Sequence, residues 1–232
     1  MNETTKSKQY WGPVEQAATR GQGIDIGCGP DPVTANARRF DVEHGDANVI
    51  SQFVKEQFDF VYSSHCLEHM HNPRAAILEW WKLVKPGGYL FVAVPDEDLY
   101  EQGAFPSRFN PDHKATFTLS KGHSWSARSC NMLELAQSLP GGEILSLQLQ
   151  DRGYDRRLLS FGREMPKFFS KIMARVYHLL LLVRSEASLV EMRRRLAPYY
   201  PVDQTMEPYN AQAQIALIVR KQAPVAERRR EA

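Results

Sequence analysis

Residues 23–30 (GIDIGCGP) restrict the fold of this chain more than any other segment. A short apolar stretch runs directly into a turn that contains Gly27 and Gly29. Glycine lets the backbone turn sharply there and lets a ligand approach without obstruction by a side chain. A strand that ends in such a turn is typical of open α/β sheets, which bind ligands at the carboxyl ends of their strands.

The rest of the chain alternates between strand and helix patterns. The run 89–94 (YLFVAV) is continuously apolar, as in a strand buried on both faces of a parallel sheet. Residues 73–84 carry apolar side chains at helical spacing between a proline and the stop signal Lys-Pro-Gly-Gly. Further strands are predicted at 58–62, 143–150 and 213–220, and further helices at 51–57 and 126–139. This alternation predicts an α/β fold with a doubly wound, parallel sheet.

The composition is that of an ordinary globular chain. Hydrophobic residues make up 43% and charged residues 24%, which excludes a disordered or fibrous protein. Residues 1–10 lack the apolar core of a secretory signal. The three cysteines are too few for a disulfide framework, and no Cys-x-x-Cys pair suggests structural zinc. We therefore expect a cytoplasmic protein.

Charge is distributed unevenly along the chain. Residues 1–116 carry 11 Lys/Arg and 16 Asp/Glu, a net charge of −5, whereas residues 117–232 carry 18 and 11, a net charge of +7. Lys167, Lys171 and Arg175 recur every four residues and predict a basic amphipathic helix. Such a helix packs on its own domain or on a second subunit of a homodimer. Alternatively, it contacts an anionic membrane surface or a lipid-linked substrate, which would make the protein peripheral to the inner face of the membrane.

A nucleic-acid partner is not expected, because aromatic residues are sparse among the basic ones and the overall charge is only +2. The glycine turn also argues against a dinucleotide enzyme. The third glycine of Gly-x-Gly-x-x-Gly is missing, and Pro32 lacks the N–H that a pyrophosphate cradle uses. An acidic residue, Asp41 or Glu43, follows at the second predicted strand, where it could accept hydrogen bonds from ribose hydroxyls.

Four segments in the same order resemble the class I S-adenosylmethionine-dependent methyltransferases, in particular their small type 11 group. They are residues 23–29 (GIDIGCG), 45–47 (GDA), 58–69 (FDFVYSSHCLEH) and 83–90 (LVKPGGYL). The resemblance covers about residues 10–150 and a closing strand near 213–221. It implies a Rossmann-like, mostly parallel sheet of seven strands with a helical insertion before the last strand. It also implies S-adenosylmethionine as cofactor and methyl transfer as the reaction.

The resemblance divides the chain into four parts. We expect a cofactor-binding methyltransferase core at 1–152, a basic helical insertion at 153–212, the closing strand at 213–222 and a disordered tail at 223–232. Asp41 follows Gly29 by only twelve positions, so the helix after the first strand is expected to be short or absent.

The family's binding roles carry over by position. Asp25, Gly27 and Gly29 are expected at the methionine end of the cofactor, with Cys28 contributing through its backbone. Asp41 is expected at the ribose, with Glu43 as its rival, and Asp46 and Ala47 at the adenine. Ser63, Ser64 and His65 are expected along the cofactor, at the end of the strand that begins at residue 58.

The acceptor is expected to be a hydroxyl of a sugar, a glycan or another small molecule, as in surface-glycan or natural-product biosynthesis. Methylating a hydroxyl requires a general base, and His113 and Asp96, in the segment after residues 89–94, are the candidates. His113 lies between Asp112 and Lys114, so it could equally be a solvated surface residue. Two alternatives remain: N- or C-methylation of a natural-product intermediate, and a non-catalytic module that binds the cofactor.

Metal binding is not expected. Asp96, Asp98, His113 and His123 are residue types that bind metals, but no tight spacing joins them.

Overall fold

The computed structural model of the chain describes residues 3–160, 172, 175 and 201–223. Its α-helices are α1 (Glu3–Lys8), α2 (Pro13–Ala17), α3 (Pro73–Lys82) and α4 (Met132–Gln137). Its strands are β1 (Gly23–Ile26), β2 (Arg38–Phe40), β3 (Phe58–Ser64), β4 (Val84–Pro95), β5 (Thr116–Thr118), β6 (Ser129–Asn131), β7 (Gly142–Gln150) and β8 (Gln214–Lys221).

Six of these strands form one sheet in the order β2-β1-β3-β4-β8-β7. Strands β2, β1, β3 and β4 are parallel, while β8 is antiparallel to both of its neighbours, β4 and β7. After β1 the chain moves outward to β2 and then returns to β3 on the other side of β1. The carboxyl ends of β1 and β3 therefore border the switch point, where open α/β sheets bind ligands.

Apolar side chains cover both faces of this sheet. On one face, α3 and α4 pack over a core that includes Ile26, Val61 and Leu90, all fully buried. On the other face, Trp11 packs edge-on against Tyr62, with ring centroids 5.9 Å apart, and against Phe91 at 5.3 Å. Burial on both faces explains why β4 is a continuous apolar run and not an alternating one.

Helix α3 begins at Pro73 as predicted but ends at Lys82, before the predicted end at residue 84, because Val84 already pairs with Phe58 at the start of β4. Asn72 caps its first turn by accepting a hydrogen bond from the backbone N–H of Ala75, and Pro73 occupies the first helical position. Trp80 and Trp81 are both buried. The Trp80 indole N–H donates to the carbonyl of Ala47 at 2.9 Å, so this helix fixes a loop at the carboxyl edge of the sheet.

The predicted α/β fold with a mostly parallel sheet is confirmed, with six strands in the main sheet of the described residues and not seven. The connection from β1 to β2 contains no helix, as its length suggested. Two helix predictions were wrong in extent. The helix expected at 126–139 begins only at Met132, because residues 129–131 pair with β5. Instead of a helix at 51–57, a 3-10 turn covers Ala47–Gln52, capped by Asp46.

The predicted basic helix lies outside the described residues except for Ile172 and Arg175, and the predicted tail except for residue 223. Of the predicted insertion at 153–212, the structure also describes residues 153–160 and 201–212, where the one helical segment is the 3-10 turn Arg156–Leu158. Within the described part of the chain, no helix is both long and apolar enough to cross a membrane.

Candidate active site

Two adjoining clefts lie at the carboxyl ends of β1 and β3. The larger has a volume of about 710 Å³ and the smaller of about 220 Å³, and both contain Gly27, His65 and His69 in their walls. The larger is also lined by Phe40, Asp41, Val42, Gly45, Asp46, Ala47, Asn48, Cys66, Met70 and His71. The smaller is also lined by Glu3, Thr4, Asp25, Cys28, Gly29, Pro30, Asp31, Ser64, Tyr100, Asn110, His113 and Thr205.

The glycine turn after β1 separates the two clefts. Gly27 and Gly29 have φ angles of +73° and +50°, which L side chains rarely adopt. A Cβ at Gly27 would lie 2.6 Å from both Cβ and Sγ of Cys66, whereas one at Gly29 would meet nothing within 4 Å. The turn thus packs closely on the segment after β3 and leaves open space beside Gly29.

Asp25 lies under this turn and is almost fully buried. Its Oδ2 accepts a hydrogen bond of 2.6 Å from the backbone N–H of Val33. Burial raises the pKa of Asp25 to about 7, although the Val33 hydrogen bond opposes this. Asp25 thus holds the loop that follows the turn and also forms part of the smaller cleft.

The structure distinguishes between the two acidic residues after β2. Asp41 lines the larger cleft, and its Oδ2 accepts a hydrogen bond from the Gly29 N–H at 2.8 Å. Its Oδ1 accepts one from the Val42 N–H, also at 2.8 Å. Glu43 is exposed and is not among the residues that line either cleft. Of the two, Asp41 is therefore the one placed to reach a ligand.

Asp46 and Ala47 lie side by side in the wall of the larger cleft. Asp46 Oδ1 accepts hydrogen bonds from the backbone and the side-chain amide of Asn48, both at 2.8 Å, and these lower the pKa of the Asp46 carboxyl. Asn48 Oδ1 in turn accepts from the backbone N–H of His71 at 3.0 Å. This network holds an ionised carboxylate at the rim of the cleft.

The three residues predicted at the end of β3 take different positions. Ser63 is fully buried and donates to the carbonyl of Ile26 at 3.0 Å, so it joins β3 to β1 beneath the clefts and does not line them. Ser64 lines the smaller cleft. His65 lines both clefts with the left-handed φ of +54°. Its Nε2 lies 2.9 Å from Oε1 of Gln214 on β8, which fixes the ring.

His113 is buried and not a solvated surface residue. Its Nδ1 lies 2.6 Å from Oε1 of Glu101, which is itself buried. The imidazole also stacks on Tyr100, with ring centroids 5.4 Å apart. The side chain therefore has a fixed position in the wall of the smaller cleft.

Asp96 does not join His113 in a cleft wall. It caps the wide helical turn Glu97–Glu101, where its Oδ1 accepts from the backbone N–H groups of Asp98 and Leu99 at 3.1 and 3.0 Å. Burial raises the pKa of Asp96 to about 6. A carboxylate in this capping position stabilises the turn that carries Glu101, and it has no direct access to either cleft.

Several residues of this site were not predicted from the sequence. Glu101 belongs to the acidic run 96–101, which resembles a solvated loop. Glu68 and His69 follow β3 in the segment that resembles the methyltransferases, and Glu68 is almost fully buried. Thr4, on α1, also lines the smaller cleft. The one available signal was the His-rich composition of the segments near Glu68 and His113.

A model of the methyltransferase domain matches residues 10–158, which is more than half of the chain. The chain belongs to this methyltransferase family. It is an S-adenosylmethionine-dependent class I methyltransferase, as the four sequence segments predicted.

Two solved structures are similar to this methyltransferase at low sequence identity. It is similar to phosphoethanolamine N-methyltransferase 2 of Haemonchus contortus in complex with S-adenosyl-L-methionine, at 13% identity and a TM-score of 0.47, over 96% of this chain and 53% of that one. It is also similar to the YcgJ protein of Bacillus subtilis, at 14% identity and a TM-score of 0.47, over 95% and 99% of the two chains. The sequence identities and TM-scores are too low to indicate the acceptor of this chain. No curated protein matches the chain.

The residues of the methyltransferase fit its cofactor. The open space beside Gly29 allows a ligand to approach the backbone of the turn closely. The carboxylates Asp41 and Asp46 lie along the larger cleft and can accept hydrogen bonds from hydroxyl and amino groups. The two clefts meet at Gly27, so an elongated ligand could extend from one into the other.

Proposed function

We propose that this methyltransferase methylates a hydroxyl group of a small-molecule or glycan acceptor. The observation that supports this is the buried pair of His113 and Glu101, with 2.6 Å between Nδ1 and Oε1, in the wall of the smaller cleft. A hydroxyl must lose its proton as it is methylated, and His is the side chain most often used as a general base. An amine acceptor, once deprotonated, needs no such base.

In this proposal the larger cleft holds the adenosine portion of the cofactor. Asp46 and Ala47 face the adenine, and Asp41 accepts hydrogen bonds from the ribose hydroxyls. The methionine portion then lies beyond Gly27, next to Asp25, in the smaller cleft that contains His113. Bound S-adenosylmethionine supplies an electrophilic methyl group, so the chain needs only to align the acceptor oxygen with it.

Glu101 positions His113 for this task. When the imidazole is neutral, its Nδ1–H donates to the Glu101 carboxylate, which leaves Nε2 as the acceptor of the hydroxyl proton. The carboxylate also stabilises the imidazolium that forms. Tyr100 stacks on the ring and limits its rotation. These contacts within the folded chain orient the proton acceptor before the acceptor molecule binds.

The test is methyl transfer to matched pairs of acceptors, such as a hexose and its amino sugar, or a phenol and an aniline. Product mass and release of S-adenosylhomocysteine are the readouts. We expect methylation of the hydroxyl members. His113→Ala should lower kcat by about 10²- to 10⁴-fold, while His123→Ala, at an exposed site, should not change it. Methylation of the amine members alone would contradict the proposal.

A further inference from the structure

Glu68, His69 and His113 converge beside the smaller cleft. Each offers one metal-ligating atom, and the three atoms lie within 4.8 Å of one another. The rings of His69 and His113 are 5.0 Å apart and nearly perpendicular, with an interplanar angle of 79°. Two imidazoles and one carboxylate form a donor set suited to divalent transition metals.

The Glu68 carboxylate has no hydrogen bond to explain its burial. Only 1% of the residue is exposed, and neither of its oxygens accepts a hydrogen bond from the described part of the chain. The nearest cationic group is the imidazole of His65, whose Nδ1 lies 3.5 Å from Oε1. Removing a carboxylate from water without hydrogen bonds is strongly unfavourable. A cation bound to its oxygens would offset that cost.

Each histidine of the cluster lies beside a carboxylate other than that of Glu68. Nδ1 of His113 lies 2.6 Å from Glu101, and Nδ1 of His69 lies 3.3 Å from Oδ2 of Asp112. This leaves Nε2 of each ring for another partner. Metal-binding histidines usually donate their second ring N–H to a carboxylate or carbonyl, which fixes the tautomer and strengthens the ligand. Glu101 and Asp112 are thus placed to support the two histidines as metal ligands.

Backbone hydrogen bonds hold the segment of His113 against Glu68 and His69, from which it is distant in sequence. The carbonyl of Glu68 accepts hydrogen bonds from the N–H groups of Lys114 and Ala115, at 2.7 and 3.2 Å. These bonds place the residue after His113 directly against Glu68. The three ligand atoms, which lie within 4.8 Å of one another, would have to move closer to reach Zn–N and Zn–O distances of about 2.0–2.2 Å.

We propose that Glu68, His69 and His113 bind a divalent transition-metal cation, such as Zn²⁺ or Mn²⁺, beside the smaller cleft. The two imidazole ligands favour these ions over Mg²⁺, which prefers oxygen ligands and keeps several waters. Three protein ligands leave at least one coordination position for a water or for an acceptor oxygen. This assignment goes beyond the sequence prediction, in which no metal was expected.

The role of the ion rests on the proposed hydroxyl acceptor. If His113 Nε2 were a metal ligand, the ion would supply Lewis-acid chemistry: an acceptor hydroxyl bound to it would be more acidic and could lose its proton to water. The oxygen then forms a bond to the methyl carbon as the carbon–sulfur bond breaks and its electron pair remains on sulfur. His113 would then hold the ion, supported by Glu101, and would not act as the general base, so metal ligation and proton acceptance are alternative roles of its Nε2.

Metal binding is measured on the tag-free protein without any acceptor. Equilibrium dialysis against Zn²⁺, Mn²⁺ and Mg²⁺ gives stoichiometry and affinity, and Co²⁺ gives a visible spectrum that reports coordination by protein ligands. We expect one tightly bound Zn²⁺ or Co²⁺ per chain, and binding of Mg²⁺ at least about tenfold weaker.

Two variants locate the site. Glu68→Gln keeps the shape of the buried side chain, and His69→Gln changes a partly exposed one. Each should weaken binding of Zn²⁺ and Co²⁺ by at least about tenfold, while a wild-type circular-dichroism spectrum and cooperative thermal unfolding show that the variant is folded. His123→Ala removes an exposed histidine outside the cluster and should bind as the wild type does.

The outcomes separate the two proposals. Absence of stoichiometric binding to the wild type, or wild-type affinity in both cluster variants, overturns the metal site and leaves the hydroxyl acceptor untouched. If the wild type binds the metal tightly and both variants lose that binding, the metal site is supported. If the same wild-type protein methylates only amines, the hydroxyl acceptor is overturned. Hydroxyl methylation that a chelator abolishes and Zn²⁺ or Mn²⁺ restores supports both.

Discussion

Asp41 Oδ2 accepts a hydrogen bond of 2.8 Å from the backbone N–H of Gly29. This bond joins the end of β2 to the turn after β1, across a connection that contains no helix. No helix holds this short connection in place, and the hydrogen bond from Gly29 to Asp41 fixes it instead. The bond also keeps the ends of both strands at one cleft. Asp41 therefore has two roles, one in holding the glycine turn and one in binding ligand.

The first prediction follows from this double role. Asp41→Asn should weaken binding of S-adenosylhomocysteine by about tenfold, or about 1.4 kcal/mol. The amide loses the negative charge, and its NH₂ group cannot accept from both Gly29 and Val42. Calorimetric titration measures the change. Glu43→Gln, two residues away and exposed, should bind within about twofold of the wild type, and an equal loss in both variants would contradict the assignment.

The second prediction concerns Glu101. Glu101→Gln should lower kcat by at least about tenfold with little change in KM, because the amide no longer stabilises a positively charged His113 or holds it as firmly. Steady-state kinetics at saturating cofactor measure the effect. The control is Glu143→Gln, on the exposed part of β7, which should leave kcat unchanged. A rise in KM alone would assign Glu101 to acceptor binding instead.

Local signals in the sequence were sufficient for most of the fold. The run that forms β4, the Asn72–Pro73 start of α3 and the glycine turn after β1 each act over a few residues. Predictions failed where distant pairing decided the outcome. The helix predicted at 126–139 included residues 129–131, but these pair with β5, and Asn131 starts α4 by capping the N–H groups of Leu133 and Glu134.

The residues of the candidate site also fall into those that local sequence predicts and those that depend on the fold. Gly27, Gly29 and Asp41 were predicted because their positions in a strand and a turn define their roles. Glu101 was not, because its burial depends on a wide turn within an acidic run that, read as sequence, indicates solvent exposure. Asp96 was predicted as a base from that same run, yet its carboxylate caps the turn. Only the folded segment distinguishes these two acids.

The third prediction separates backbone strain from steric clash at the glycine turn. Gly27 and Gly87 both have positive φ angles, of +73° and +81°, but only Gly27 has Cys66 within 2.6 Å of its ideal Cβ position. Gly87→Ala should cost about 1 kcal/mol of unfolding free energy. Gly27→Ala should cost about 2–4 kcal/mol. Chemical denaturation measures both, and equal costs would show that the contact with Cys66 relaxes freely.

The last prediction uses the pKa of Asp25, which burial raises to about 7 in the folded protein. In the unfolded chain the carboxyl has its ordinary pKa of about 3.9. Below pH 4 both states hold the proton, so Asp25 has no effect on the pH dependence of stability. Between about pH 4 and pH 7 the unfolded state releases its proton first, and folding loses free energy as the pH rises. Above pH 7 both states are ionised and the penalty is constant.

Asp25→Asn should remove this penalty, because the amide is neutral at every pH and its oxygen can still accept from Val33. The variant should gain stability relative to the wild type as the pH rises from 4 to 7, by a few kcal/mol in total. Urea denaturation at intervals across this range measures the difference, with Glu143→Gln as an exposed control that should parallel the wild type. A constant difference between Asp25→Asn and the wild type would mean that Asp25 is ionised throughout. Its carboxylate would then be stabilised in the fold by more than the Val33 hydrogen bond.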